Sequence, residues 1–152
     1  MRLAIATDHR GVALKSALAA WLRGEGHVVE DLGTQGEAAV DYPDYALALA
    51  ERVAAGEWER GILICGTGIG MSIAANKVAG ARAALVYDEE SARLSREHND
   101  ANILVLPGNW LDAPRAQAWL ALWLTTPFAG GRHARRVERI RAYERGPGKP
   151  QH

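Results

Sequence analysis

The sequence has one cysteine, and it opens the stretch Cys65-Gly66-Thr67-Gly68-Ile69-Gly70-Met71-Ser72. A thiol is followed by three glycines at alternate positions, at the point where an apolar run ends. Glycine N–H groups can approach an anion closely where a helix begins. A thiol in such a place is drawn toward its thiolate form. The chemistry this suggests is proton abstraction beside an oxyanion-binding loop. The competing interpretation is a buried cysteine that ends a strand, with glycines that only permit a tight turn. Three familiar motifs are excluded. No Gly-Lys-Ser/Thr run follows, so the loop is not a Walker loop. The third glycine comes one residue early for a dinucleotide fingerprint. The position where a phosphatase loop needs arginine holds Met71.

Two other clusters could carry chemistry. Asp8-His9 follows the apolar run Arg2–Thr7 and is either a polar pair in a crevice or a turn cap with a surface histidine. His98-Asn99 lies between a helix and a strand, where His98 could simply cap the helix C-terminus. Farther on, from Gly130 to the end, six arginines and one lysine face two glutamates, a surplus of five positive charges. Residues 1–129 carry the balancing deficit. The basic segment is either a solvated helix or an anion site, because arginine binds phosphate and carboxylate bidentately.

The elements that must position these groups alternate. Strands are expected at 2–7, 27–32, 61–65, 81–87 and 102–106. Helices are expected at 12–23, 42–54, 69–77, 89–97, 112–124 and 131–145. Five strand–helix units and one extra C-terminal helix argue for a three-layer α/β fold of Rossmann-like type, an open five-stranded parallel sheet in the order 2-1-3-4-5. Ligands of such sheets bind beyond the carboxyl ends of the strands, at a switch point. With strands 1 and 3 adjacent, Asp8, His9 and Cys65 share one crevice. His98 then sits at the opposite end of the sheet. A catalytic role for it would require reaching into a partner's crevice, which implies an oligomer.

The 152 residues suit one domain, read as 1–145 with a mobile polar tail at 146–152. With 48% hydrophobic and 24% charged residues, a disordered chain is excluded. Lys+Arg and Asp+Glu are 18 each, a balance unlike that of a general nucleic-acid binder. No apolar run is long enough to span a membrane, and the N-terminus is not a signal peptide. One cysteine allows neither an intrachain disulfide nor a multi-cysteine zinc site, and it suits a reduced, cytoplasmic setting.

ATDHRG near the start, DLGT at 31–34, DYPDYA at 41–46, ICGTGIGMSIAANKVAGARAAL at 64–85, SREHNDANILVL at 95–106 and GGRHARRVERI at 130–140 occur in order. Together they resemble the type-B ribose-5-phosphate isomerases, a family that includes the galactose-6-phosphate isomerase subunits. The resemblance covers about residues 2 to 145. It implies reversible conversion of ribose 5-phosphate and ribulose 5-phosphate through a cis-enediolate, with no metal, nucleotide or other cofactor. Isomerisation of another aldose phosphate (allose 6-phosphate, galactose 6-phosphate or a tetrose phosphate) is one alternative, and sugar-phosphate binding without turnover is another.

By the same resemblance, Cys65 is the base, and N–H groups of Gly66, Gly68, Ile69, Gly70 and Met71 form the oxyanion hole. Thr67 and Asp8 contact the sugar, and Tyr42 lines the pocket. His98 opens the sugar ring and Asn99 assists, both from the neighbouring subunit of a homodimer or homotetramer. His9, with Arg132, His133 and Arg136 of the partner, holds the phosphate. This chain departs from the pattern at Asn109, where many members carry a phosphate-binding arginine. Loss of that charge implies weaker phosphate binding or a shifted preferred sugar, unless another arginine, such as Arg10, compensates.

Overall fold

Five parallel strands form the middle layer of the computed structural model, which describes residues 1–146. The chain runs β1 (Arg2–Thr7), α1 (Val12–Gly24), β2 (Val28–Asp31), α2 (Tyr42–Ala54), β3 (Arg60–Cys65), α3 (Ile69–Ala75), β4 (Ala83–Leu85), α4 (Glu89–Glu97), β5 (Ile103–Pro107), a short 3-10 turn (Gly108–Trp110), α5 (Ala113–Thr125) and α6 (Arg132–Arg145). The expected alternation is present, with β4 shorter than expected and the 3-10 turn an addition. Beyond Gly146, the tail expected to be mobile lies outside the described residues.

Local chemistry sets the element ends. Asp88 caps α4, its carboxylate accepting the Ser91 N–H at 2.6 Å while the Ser91 hydroxyl accepts the Asp88 N–H. Asp112 caps α5 by accepting the Arg115 N–H at 2.9 Å. Pro43 and Pro114 occupy first turns, where a missing N–H costs nothing.

The central strands are apolar on both faces because both faces are covered. One core packs Leu3, Ile5, Ile62, Ile64, Leu104 and Leu106 under α1, α4 and α5. The other packs Ala4, Ala6, Leu63, Ile103 and Val105 under α2 and α3. The small alanines of β1 let α2 lie close on that side.

The strand order is β2-β1-β3-β5-β4. The fold class is the expected one, but the last two strands are exchanged relative to 2-1-3-4-5. Every residue of β5 is buried, which suits a position between two neighbours, whereas the three residues of β4 are half-buried and suit an edge. Strand–helix alternation specifies parallel strands covered by helices and leaves their lateral order open. β1 and β3 remain neighbours, with Ile5 opposite Ile62 and Thr7 opposite Ile64. From β1 the chain steps one way to β2 and then back across to β3, so the switch point falls between β1 and β3. α6 packs at the other end of the sheet. Glu144 accepts the N–H of Gly80, just before β4, at 3.0 Å. Arg141 pairs with Asp100, just before β5, at 3.8 Å.

Candidate active site

At the carboxyl ends of β1 and β3 lies a crevice of about 320 Å3 that contains Asp8, Tyr42, Cys65 and Thr67. Its floor is built by backbone. Asp8 N–H donates to the Ile64 carbonyl at 3.3 Å, and the Thr7 hydroxyl donates to the same oxygen at 2.9 Å. Asp8 and Cys65 are 6% and 5% exposed, so their reactive atoms are shielded from bulk water.

The loop after Cys65 depends on glycine. Gly68 has φ +78°, and a Cβ there would meet Leu85 at 2.5 Å. At Gly70 a Cβ would strike the Tyr42 ring at 2.5 Å, so that glycine is what allows the tyrosine to close the pocket wall. The N–H groups of Thr67, Gly68, Gly70 and Met71 donate to no acceptor among the described residues, while Ile69 N–H is taken by the Thr67 hydroxyl at 3.2 Å. Unspent donors beside a thiol can stabilise a developing oxyanion. The Met71 side chain is fully buried in the α2/α3 core, so only its backbone can serve.

The segment after β2 braces this end. Lys15 of α1 is fully buried and pairs with Asp31, also donating to Gln35 at 3.1 Å. Asp31 accepts the Gly33 N–H at 2.8 Å, and residues 33–34 exchange backbone bonds with Thr7 at 2.7 and 2.9 Å. Burial alone would raise the Asp31 carboxyl; hydrogen bonds from Lys15, Gly33 and Gln35 and the Lys15 charge outweigh it and hold the carboxyl below its ordinary value. Past this brace, Val40 N–H donates to Nδ1 of His9 at 3.2 Å. Nδ1 is therefore the acceptor, and the ring proton sits on Nε2, free to donate.

His98, Asn99, Arg132, His133 and Arg136 lie at the amino end of the sheet. His98 is the C-cap residue of α4, as the bland interpretation had it, yet its ring also stacks on His133 of α6 at 4.1 Å and 11°. Desolvation, then His98, Arg132 and Arg136, push the His133 imidazole below its ordinary value. Asp100 organises this end, accepting Arg96 at 2.9 Å and Arg82 at 3.3 Å in addition to Arg141.

The chain thus assembles two groups of candidate residues, at opposite ends of one sheet. Sequence reasoning gave no role to Lys15 and Asp31, although DLGT was noted, and it missed the Val40–His9 bond. A lysine among apolar helix positions was the available signal for the first; the second had none. Among the described residues no three His, Cys, Asp or Glu gather to hold a metal, and no helix is long and apolar enough to cross a membrane.

A buried thiol above a glycine loop, at the switch point of a doubly wound sheet, defines an α/β enzyme whose ligand enters at the strand ends. The chain matches the ribose/galactose isomerase family over residues 3–140. It is 46% identical over 143 residues to ribose-5-phosphate isomerase B of Escherichia coli, covering 94% of this chain and 96% of that one. The ribose-5-phosphate isomerase B structure from Clostridium thermocellum superposes with TM-score 0.93 at 50% identity, covering 95% and 98% of the two chains. The Mycoplasma genitalium ribose-5-phosphate isomerase B, solved with bound ribulose 5-phosphate, gives TM-score 0.92 at 40% identity, covering 95% and 96%. The chain belongs to the ribose/galactose isomerase family, and it is an isomerase.

Proposed function

We propose that the enzyme interconverts ribose 5-phosphate and ribulose 5-phosphate by proton transfer, with Cys65 as the base. The observation that carries this is the placement of one shielded thiol beside unspent backbone donors and Asp8 in a single crevice. The Cys65 thiolate takes the proton from C2 of the open-chain aldose. The C2–H electrons form the C1–C2 double bond, and the carbonyl electrons move onto O1. The unspent N–H groups of Thr67, Gly68, Gly70 and Met71 receive that charge, and one such donor is worth about 3 kcal/mol of barrier. Return of the proton to C1 and transfer of the O2 proton to O1 complete the ketose. Thr67 and Asp8 hold the sugar hydroxyls, and Tyr42 closes the wall.

The second group of residues belongs in the same reaction, supplied by another copy of this chain. His98 of the second copy opens the ring and Asn99 steadies it, while Arg132, His133 and Arg136 meet the phosphate opposite His9. Support comes from the exposed apolar side chains around the first crevice. Ile69 and Ile73 are more than half exposed, and Tyr42 is 40% exposed. A homodimer or homotetramer would cover them. Residues 1–145 act as one isomerase domain, and the free thiol suits the cytoplasm.

The test is conversion of ribose 5-phosphate with a chelator present, beside four- and six-carbon aldose phosphates. Pentose turnover that vanishes in Cys65→Ala is the expected result. Turnover of only another sugar phosphate would move the substrate and keep the chemistry. Binding without C2 hydrogen exchange would leave a binding protein.

A further inference from the structure

Among the described residues, one arginine lines the crevice, and the proton transfer leaves it unused. Arg10 and Asn109 both face the crevice, on the same side of Gly66. A Cβ at Gly66 would lie 3.1 Å from Cδ of Arg10 and 2.9 Å from the amide nitrogen of Asn109. The two side chains therefore converge on one point beside the thiol. Asn109 is fixed there by its own N–H, which donates to the Gly66 carbonyl at 2.9 Å. Arg10 is fixed by its N–H, which donates to Asp8 at 3.0 Å.

The heads of these side chains are unspent. The Arg10 guanidinium makes no hydrogen bond or ion pair with any described residue, although Arg52, Arg82, Arg93, Arg96, Arg141 and Arg145 are all paired with carboxylates. Asn109 is exposed, and its amide also donates to no described residue. An arginine anchored by its backbone, with a free fork over a ligand crevice, is suited to bidentate capture of an oxyanion. Among the described residues, the only carboxylate lining the crevice is Asp8, which is buried and accepts the Arg10 backbone N–H, leaving the guanidinium for the ligand.

We infer that Arg10 is this chain's own anchor for the phosphate of the substrate, with the neutral Asn109 amide donating to the same group. Building on the isomerase function proposed above, it adds a same-chain contact to the phosphate grip of His9 and the second copy. With the Asn109 amide neutral, Arg10 is the charged member of this converging pair.

The experiment is calorimetric titration of the full chain with inorganic phosphate and with ribose 5-phosphate, beside steady-state kinetics. The proteins are wild type, Arg10→Met, Arg10→Lys and the double variant Arg10→Met with Asn109→Arg. Arg10→Met should weaken both anions and raise KM by roughly 10- to 100-fold, with kcat within about threefold. Arg10→Lys should recover part of the loss, and Asn109→Arg in the Arg10→Met background most of it. A folded Arg10→Met protein with unchanged affinity for both anions overturns the proposal, as does a wild type that binds neither. A wild type that binds phosphate through Arg10 but turns over no aldose phosphate would sink the isomerase function and leave the anchor standing. Normal turnover with an unaffected KM in Arg10→Met would do the reverse.

Discussion

The two ends of the sheet hold their functional side chains in different physical settings. At the carboxyl end, Cys65 and Asp8 are buried and fixed by backbone bonds and the Lys15–Asp31 brace. At the amino end, His98 and His133 stack at the surface, and α6 is held by the Arg141–Asp100 pair, the Glu144–Gly80 hydrogen bond and the buried Val137. β3 alone spans roughly 20 Å, so the groups cannot meet within one chain. The difference suits the separate tasks proposed for them. A base and an oxyanion loop must be rigid before substrate arrives. A ring-opening acid and a phosphate grip can be exposed in the monomer if a neighbouring copy covers them.

The largest expected effect falls at the rigid end. Cys65→Ala should lower kcat by about a thousandfold or more, with little change in thermal stability. Substantial residual turnover would remove the thiol as base. His98→Ala should slow ring opening more than C2 proton exchange, as read by rapid mixing. Mixing Cys65→Ala and His98→Ala chains then tests whether the ends cooperate. If each site takes Cys65 from one copy and His98 from another, a random mixture should regain roughly a quarter of wild-type activity. Confirmed subunit exchange without recovery would break the complementarity.

A smaller effect distinguishes how the ends are held. Lys15→Met strands a partly buried carboxylate and should cost about 3 kcal/mol, a fall in Tm of roughly 6–12 °C. Arg141→Ala, cutting a half-exposed pair at the other end, should cost less than about 1 kcal/mol. Equal losses would mean that the two ends are not braced differently. The brace also has a pH signature. The Asp31 carboxyl is held below its ordinary value, so its stabilisation is full above that value and is lost as pH falls through the folded one. Asp31→Asn should flatten the acid limb of the melting profile.

Much of this contrast was legible in the chain. Apolar runs bounded by glycine and proline located every strand, and Cys65 with its glycines marked the crevice. The neighbouring of β1 and β3 followed from the common topology of such sheets, and it put Asp8 beside Cys65. The places of β4 and β5 were not legible, because alternation does not encode lateral order; burial on both faces decides it. The stacking of His98 on His133 was equally hidden. It depends on where α6 docks, and the Glu144–Gly80 and Arg141–Asp100 contacts that set the docking join residues far apart in sequence. The free head of Arg10 needed coordinates too, since an unpaired arginine can be told from a paired one only when its neighbours are known.

The smallest effect concerns the exposed end alone. His133 is pushed below the ordinary imidazole value of 6.5 by desolvation first, then by His98, Arg132 and Arg136, with Glu97 opposing. Within the window between its folded and ordinary values, the unfolded chain binds more protons than the folded one. Stability therefore declines as pH falls from 6.5 toward the folded value. Nuclear magnetic resonance titration of the ligand-free chain should place the His133 midpoint below 6.5, and His98→Ala should move it upward. Phosphate should raise it further if the dianion sits among Arg132, His133 and Arg136, since a nearby negative charge favours imidazolium. A midpoint that ignores phosphate, while Cys65 remains essential, would confine anion binding to the carboxyl end. It would also leave the amino end no part in holding the substrate's charge.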